Sequence, residues 1–287
     1  MCRNLMDHPY INFSGLYPRK IWGYRGPDVT GGMPLMRDGN FRSERAAFRT
    51  DIGNWGWVFP KGSPYKLVDD FVEKDGLYGR KLREKLEDEG PRHMRIGYLI
   101  EQLPDPNNRV TLADKEGNVE RDALGLPRPV IHYDLDDYTL AGMAAAKKLT
   151  EQIFNTVGIE MQPQSRGSGT KVYHCKHDGK TKAVSDDDKD KDGKGARDNK
   201  QVFQFFGSGH LIGTHIMGRD DQQDTTVVNS WQQTHDHENL FLAGCGSLPT
   251  SATANPSLTM TAMTFRTLDK ILEKLDSEQP DSKGAQS

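Results

Sequence analysis

Gly207-Ser-Gly-His210-Leu-Ile-Gly213-Thr214-His215-Ile-Met217-Gly218 opens the stretch on which the fold turns. It continues through Val227-Val228-Asn229 to Leu240-Phe-Leu-Ala-Gly244-Cys-Gly-Ser-Leu-Pro249-Thr250-Ser-Ala-Thr-Ala-Asn255-Pro256-Ser-Leu258-Thr259. Leu240 to Ala243 reads as a short buried strand that enters a tight Gly-Cys-Gly turn. Asn255-Pro256 reads as a helix start, with Asn as N-cap and Pro at the first helical position. Leu258, Ala262, Phe265, Leu268 and Leu272 recur at helical spacing, which predicts a buried stripe on a helix running to about Leu275. A helix N-terminus presents unpaired N–H groups and roughly half a positive charge, so it suits an anionic ring or oxygen. His210 lies among small residues that let a ligand approach, and imidazole is suited to accepting a proton from an alcohol. The pattern predicts two polar groups, His210 and Asn255, converging on one small site.

Composition excludes several classes. The chain has 287 residues, a net charge of -3 and 34% hydrophobic residues, so no basic field points to nucleic acid or an anionic membrane. Mean hydropathy is -0.75, lowered by one strongly polar insert. Cys2, Cys175 and Cys245 are far apart and form no CxxC pair, which argues against a disulfide framework or a zinc knuckle. No apolar run approaches the ~18 residues of a membrane span. The N-terminus has no apolar signal core, so a soluble chain is expected.

Along the chain, residues 1–60 read as loops and short strands, with an aromatic strand over Phe48–Phe59. Ser63-Pro64 opens a helix carrying Leu67, Phe71 and Val72 and extending to Glu89. Met94, Ile96, Tyr98 and Ile100 alternate as a half-buried strand. Pro104 to Asn108 turns the chain into a return strand at Val110 and Leu112, and Pro129–Tyr133 is a further strand of the same sheet. Asp134 or Asp136 caps a helix through Leu140, Met143, Ala144 and Leu149 to Phe154, closed by Gly158. The expected class is α+β: an antiparallel sheet with flanking helices.

Three motifs read as decoys. Asp188, Asp190, Asp192 and Gly193 match half of a calcium loop, but Asn199 stands where the bidentate Glu is needed and no helix pattern flanks it. The run is a solvated, charged loop. His210, His215, His235 and His237 lie near Asp220, Asp221 and Asp224, yet without metal-ligand spacing, so no metal is expected. Gly207-Ser-Gly209 has its third Gly one place late, at Gly213, with no typical buried strand leading in, so it is not a nucleotide loop.

These blocks together resemble the C-terminal signature of the glucose–methanol–choline (GMC) flavoprotein oxidoreductases. His210 to Gly218, Val227 to Asn229, Asn239 to Phe241 and Pro249 to Pro256 fall in the family's order. Asn4-Leu-Met-Asp-His8 is similar to the segment by which the family enters its substrate domain. His235-Asp-His237-Glu-Asn-Leu with Ser251-Ala-Thr-Ala-Asn-Pro is most similar to the flavoprotein subunits of bacterial gluconate 2-dehydrogenase and related sugar dehydrogenases.

The resemblance implies FAD as cofactor and oxidation of a CH–OH group of an alcohol, sugar or sugar acid, by hydride transfer to flavin N5. It makes His210 the base and Asn255 the holder of the substrate oxygen. Gly244, Cys245, Asn255, Pro256 and Thr259 become flavin contacts. It divides the chain into an entry segment (1–60), a substrate domain (61–163), a charged flexible insert (164–200), a catalytic segment (201–275) and a disordered tail (276–287). The family's N-terminal GxGxxG dinucleotide fold is absent from this sequence. The expected fold is therefore a substrate domain plus the last strand and helix of an FAD-binding domain, needing an N-terminal FAD-domain half as partner. An electron-transfer subunit, a cytochrome, is implied as a further partner, and the compartment as the periplasmic face of a bacterial inner membrane or the cytoplasm. The alternative is a non-catalytic remnant or interaction protein.

Overall fold

The computed structural model describes residues 2–27, 29–53, 64–113, 117–162, 170–175, 182–184 and 200–278. The chain forms two compact units. One comprises His8–Glu101 and Leu135–Ser208; the other comprises Met1–Asp7, Gln102–Asp134 and Gly209–Ser287.

The first unit is built on an antiparallel sheet. Its strands are β1 (Pro9–Leu16), β2 (Val29–Met33), β3 (Phe48–Gly53) and β4 (His93–Ile100), with helices α1 (Pro64–Asp69) and α2 (Gly79–Glu89) between β3 and β4. Numbering continues with β5 (Arg109–Thr111) and β6 (Val130–His132) in the second unit. Back in the first unit follow α3 (Asp137–Val157), β7 (Glu160–Met161), β8 (Thr170–Cys175), β9 (Lys182–Val184) and β10 (Lys200–Gly207). Among the described residues the strand order is β2-β3-β4-β1-β10-β8-β9, with β7 pairing the end of β1. β1 pairs β4 in unbroken register from Tyr10↔Leu99 to Leu16↔His93.

α3 covers β4 and β1. Its caps follow local chemistry. The Asp136 carboxylate accepts from Thr139 N–H at 2.7 Å, and Gly158 closes the helix at φ 71°, a left-handed position that glycine takes without strain. Leu140, Met143, Ala146 and Phe154 are buried on the inner face. Burial of Leu140, Met143 and Phe154 contributes about 1.5–3 kcal/mol each. Gly142 lets α3 approach closely, since a Cβ there would stand 2.8 Å from Ala46 Cβ. Tyr98 is fully buried; its hydroxyl meets Thr150 Oγ1 at 2.6 Å, and burial pushes its pKa up to about 12.

The second unit has a thinner, more polar core. β5 and β6 form a two-stranded ribbon. Residues 2–7 are strapped to it and to the His210 block by bridges Arg3↔Arg109 and Met6↔Ile212. The unit ends in α4 (Ser257–Glu278). Its core mixes Leu5, Met6, Ile212 and Val228 with buried Gln232, Ser247, Ser251 and Thr267.

Several expectations need correction. The helix predicted from Ser63 to Glu89 is broken: α1 runs into a π-turn at Asp70–Lys74, and α2 starts only at Gly79, because Gly76 and Gly79 both take positive φ. Leu67 and Phe71 are buried, whereas Val72 is exposed. The strands at Val110 and at Val130–His132 pair with each other, not with β4, because the chain changes unit between Glu101 and Gln102. Leu240 to Ala243 is no strand; it meets residues 232–234 through the single bridge Gln233↔Phe241 and two flanking hydrogen bonds, with Leu240 exposed. A strand, β10, does lead into Gly207, but it belongs to an antiparallel sheet.

The stripe on α4 is inverted. Leu258 (83% exposed), Phe265 (64%) and Leu272 (49%) face outward, with Ala262 and Leu268 also exposed. The side facing the unit carries Met260, Met263, Thr267 and Ile271. The calcium-loop residues, Ser63 and residues 54–59 lie outside the described residues.

Candidate active site

The His210 block runs between two partners of its own unit. On one side Met6 and Ile212 exchange both backbone bonds, at 2.9 and 3.0 Å, and Cys2 N–H donates to Thr214 O at 2.6 Å. Gly213 is required here: it lies at φ 85°, and a Cβ would collide with Asn4 O and stand 2.7 Å from Met6 Cε. On the other side His215 N–H donates to Gly246 O at 3.0 Å and Met217 N–H to Ser247 O at 2.9 Å. This docks the block against the turn that contains Gly244 and Cys245.

His210 is half-buried, and Asp7 holds its backbone. The Asp7 carboxylate accepts from His210 N–H at 2.9 Å and from Gly209 N–H at 3.1 Å, while Gly209 takes φ 75° to aim both amides at it.

The Gly244–Ser247 turn is fixed from within. Cys245–Ser247 forms one 3-10 turn, and Ser247 Oγ donates to Gly244 O at 2.8 Å. Gln232, fully buried and at φ 59°, spans from this turn to α4. Its Nε2 donates to Ser247 Oγ at 2.6 Å and its Oε1 accepts from Thr267 Oγ1 at 2.7 Å. Cys245 Sγ lies 3.4 Å from Met260 Sδ, and burial raises the thiol pKa. The His215 ring packs on Gly246, where a Cβ would overlap it. Burial lowers the His215 pKa, partly offset by a hydrogen bond to the Leu242 backbone.

The helix start is displaced by one residue from expectation. Met260 N–H donates to Pro256 O at 2.8 Å, which makes Pro256 the capping residue and leaves Asn255 one place before it. Pro256 is buried; Asn255 and Thr259 are exposed. Among the described residues the Asn255 amide makes no hydrogen bond. The loop before it is anchored by Ser251, whose Oγ accepts from Gln102 N–H at 2.8 Å and donates to Gln102 O at 3.1 Å. Of the residues weighed for metal, His235 is bonded through Nε2 to Thr226 Oγ1 at 3.0 Å.

Asp7, Gln102, Ser251, Gln232 and His215 hold the loops of the candidate site, and none of them is assigned a role there from the sequence. Asp7 lies in the Asn4–His8 segment, whose pattern gives it no role of its own, and Gln102 carries no signal because it follows a strand like any loop residue.

Residues 104–264 match the C-terminal domain of GMC oxidoreductases. The chain belongs to the GMC oxidoreductase family. This GMC chain is 32% identical over 276 residues to the fructose dehydrogenase large subunit of Gluconobacter japonicus, covering 95% of the chain and 41% of the relative. It is 23% identical over 227 residues to the 6'''-hydroxyparomomycin C oxidase of Streptomyces lividus, covering 76% and 34% respectively. Over 62 residues it is 40% identical to the 2-methyl-1,2-propanediol dehydrogenase of Mycolicibacterium austroafricanum, covering 22% of the chain and 11% of that protein. It thus spans about two-fifths or less of the length of these GMC relatives. Among the described residues no helix is long and apolar enough to cross a membrane.

Proposed function

We propose that this chain is the catalytic C-terminal part of an FAD-dependent dehydrogenase that oxidises a CH–OH group of a sugar, sugar acid or alcohol. The observation that carries the reading is the meeting, within one unit of a GMC chain, of the His210 block, the Gly244–Ser247 turn and the start of α4. The order of these parts agrees with the family, and the names of two relatives point to sugar and diol substrates.

The residues around the turn suit a flavin edge. Gly244 has open space where a Cβ would stand. The first N–H groups of α4, a 22-residue helix, precede its first internal bond and have no partner within the helix. They add a positive dipole end that favours a reduced, anionic ring. The Cys245 thiol, held neutral by burial, adds no opposing charge. Pro256 and Thr259 complete this edge. A bound flavin supplies the acceptor for the hydride that leaves the carbinol carbon.

The chain's own residues do the rest. His210 takes the hydroxyl proton at a ring nitrogen, which strengthens the carbon–oxygen bond as the hydride departs. Asn255 donates its amide N–H to the substrate oxygen and holds it against His210. Asp7 fixes the loop from which His210 acts.

The FAD pyrophosphate and adenine would be held by an N-terminal FAD-binding part. The outward stripe of Leu258, Phe265, Leu268 and Leu272 on α4 is an apolar face of the kind such a part would cover. The relative's description as a large subunit favours further partner subunits; the family resemblance adds an electron-transferring cytochrome as one of them.

The test is the visible absorption spectrum of the chain purified alone and with a matching FAD-binding part. Flavin bands only in the combined preparation, bleached without oxygen by a sugar, sugar acid or alcohol, support the reading. Absence of flavin in both would leave a non-catalytic interaction protein.

A further inference from the structure

Two candidate catalytic loops that are remote in sequence are joined by one continuous hydrogen-bond chain inside the second unit. At one end the Asp7 carboxylate accepts the His210 and Gly209 amides. The Asp7 amide in turn donates to Gln102 Oε1 at 3.0 Å. Gln102, 1% exposed, is itself fully engaged. Its Oε1 also accepts from Tyr133 Oη at 2.8 Å, and its Nε2 donates to Asp134 O at 3.2 Å. At the other end the Gln102 backbone is gripped in both directions by Ser251 Oγ, at 2.8 and 3.1 Å, four residues before Asn255.

We infer that Gln102 is a positioning residue. Through Asp7 on one side and Ser251 on the other, it sets the spacing of the His210 and Asn255 loops. Three physical points carry this. Gln102 is buried and each of its side-chain polar atoms has a partner, an arrangement that holds one rotamer. The amide is required in this orientation, because Oε1 faces two donors and Nε2 faces a carbonyl. A hydrocarbon of the same size would leave the Asp7 amide without its acceptor, and the carboxylate that steers His210 would then lose its own anchor. The Ser251 hydroxyl accepts from the N–H and donates to the C=O of one residue, Gln102, as a strand partner would, and so ties the second loop to it.

The inference rests on the proposed reaction for its catalytic meaning but not for its geometry, and the experiment separates the two. In the chain alone, NMR-detected hydrogen exchange of the His210 amide reads the network without any cofactor. Gln102→Leu is expected to speed that exchange about five- to tenfold, the worth of one buried hydrogen bond, while the Thr139 amide capped by Asp136 stays unchanged. An unchanged His210 amide overturns the inference. Should Gln102→Leu fail to fold, the unbranched Gln102→Met, which likewise removes the acceptor of the Asp7 amide, is read the same way.

In the flavin-loaded enzyme, Gln102→Leu and Asp7→Ala are each expected to slow substrate reduction of the flavin about 10- to 100-fold at saturating substrate, as misplacement by about 1 Å does. KM is expected to change little, flavin content to remain intact, and Asp7→Asn to recover part of the rate. The double variant should be no slower than the slower single one. Additive losses, or losses that track flavin content alone, would show a merely structural role and overturn the inference. A wild-type enzyme that no CH–OH donor reduces would sink the proposed reaction, with the amide exchange still deciding the network.

Discussion

Gln232→Leu tests whether the Gly244–Ser247 turn is held to α4 by a single buried amide. Gln232 is fully buried and makes two short bonds, Nε2 to Ser247 Oγ at 2.6 Å and Oε1 from Thr267 Oγ1 at 2.7 Å. The loss is not that of two orphaned groups. Ser247 Oγ keeps its bond to Gly244 O at 2.8 Å, and Thr267 Oγ1 can turn its proton wholly to Met263 O at 3.0 Å. The positive φ of residue 232 costs Leu and Gln alike. What is removed is two hydrogen bonds at about 1 kcal/mol each, so the expected cost is about 2 kcal/mol. For a chain of this size that lowers Tm by roughly 4–8 °C. Thermal melts followed by circular dichroism and tryptophan fluorescence measure it. The double variant Gln232→Leu with Thr267→Val should be less destabilised than the sum of the two single ones, because the second change removes a partner already lost. A single-variant loss below about 0.5 kcal/mol, or strict additivity, refutes the reasoning.

Further outcomes follow from neighbouring contacts. Gly246→Ala drives a Cβ into the His215 ring and to within 2.7 Å of Thr214 Oγ1, and should cost about 1–3 kcal/mol by thermal melt, with the added Gly246→Ala/His215→Ala variant recovering part of it. Tyr98→Phe removes a 2.6 Å bond but leaves Thr150 Oγ1 donating to Ala146 O, so a loss of only about 1 kcal/mol is expected from urea unfolding. His215 is depressed below its ordinary 6.5 by burial, so between its folded value and about 6.5 the unfolded chain binds the extra proton. Stability from keeping His215 neutral is therefore complete above about pH 6.5 and lost as pH falls toward the folded value. His215→Gln should flatten the Tm difference between about pH 7.5 and about pH 5.5; an unchanged slope would refute the assignment.

What was legible in the sequence was local. Asp136 and Gly158 bound α3 where capping chemistry puts them, because a cap involves residues within one turn. The blocks from His210 to Gly218 and from Pro249 to Pro256 marked the candidate site because glycine and proline punctuation is tied to their own φ angles. The apolar period of α4 was legible too, but periodicity defines a stripe and not what stands against it. The unit instead meets Met260, Met263 and Thr267, and the Leu258–Leu272 stripe faces out. The pairing of β5 with β6 rather than β4 is a long-range choice made by the change of unit at Gln102. The Asp7–Gln102–Ser251 chain was the least legible. Its bonds span 203, 95 and 149 residues, and no local rule links such positions.

The most direct test of the account is anaerobic stopped-flow reduction of the flavin-loaded enzyme by a sugar or alcohol substrate, wild type against His210→Ala. If His210 takes the hydroxyl proton, the reduction rate falls by about 10²–10⁴-fold while flavin content and the melting temperature stay at wild-type values. An unchanged rate would contradict the account, because the proton would then leave without His210.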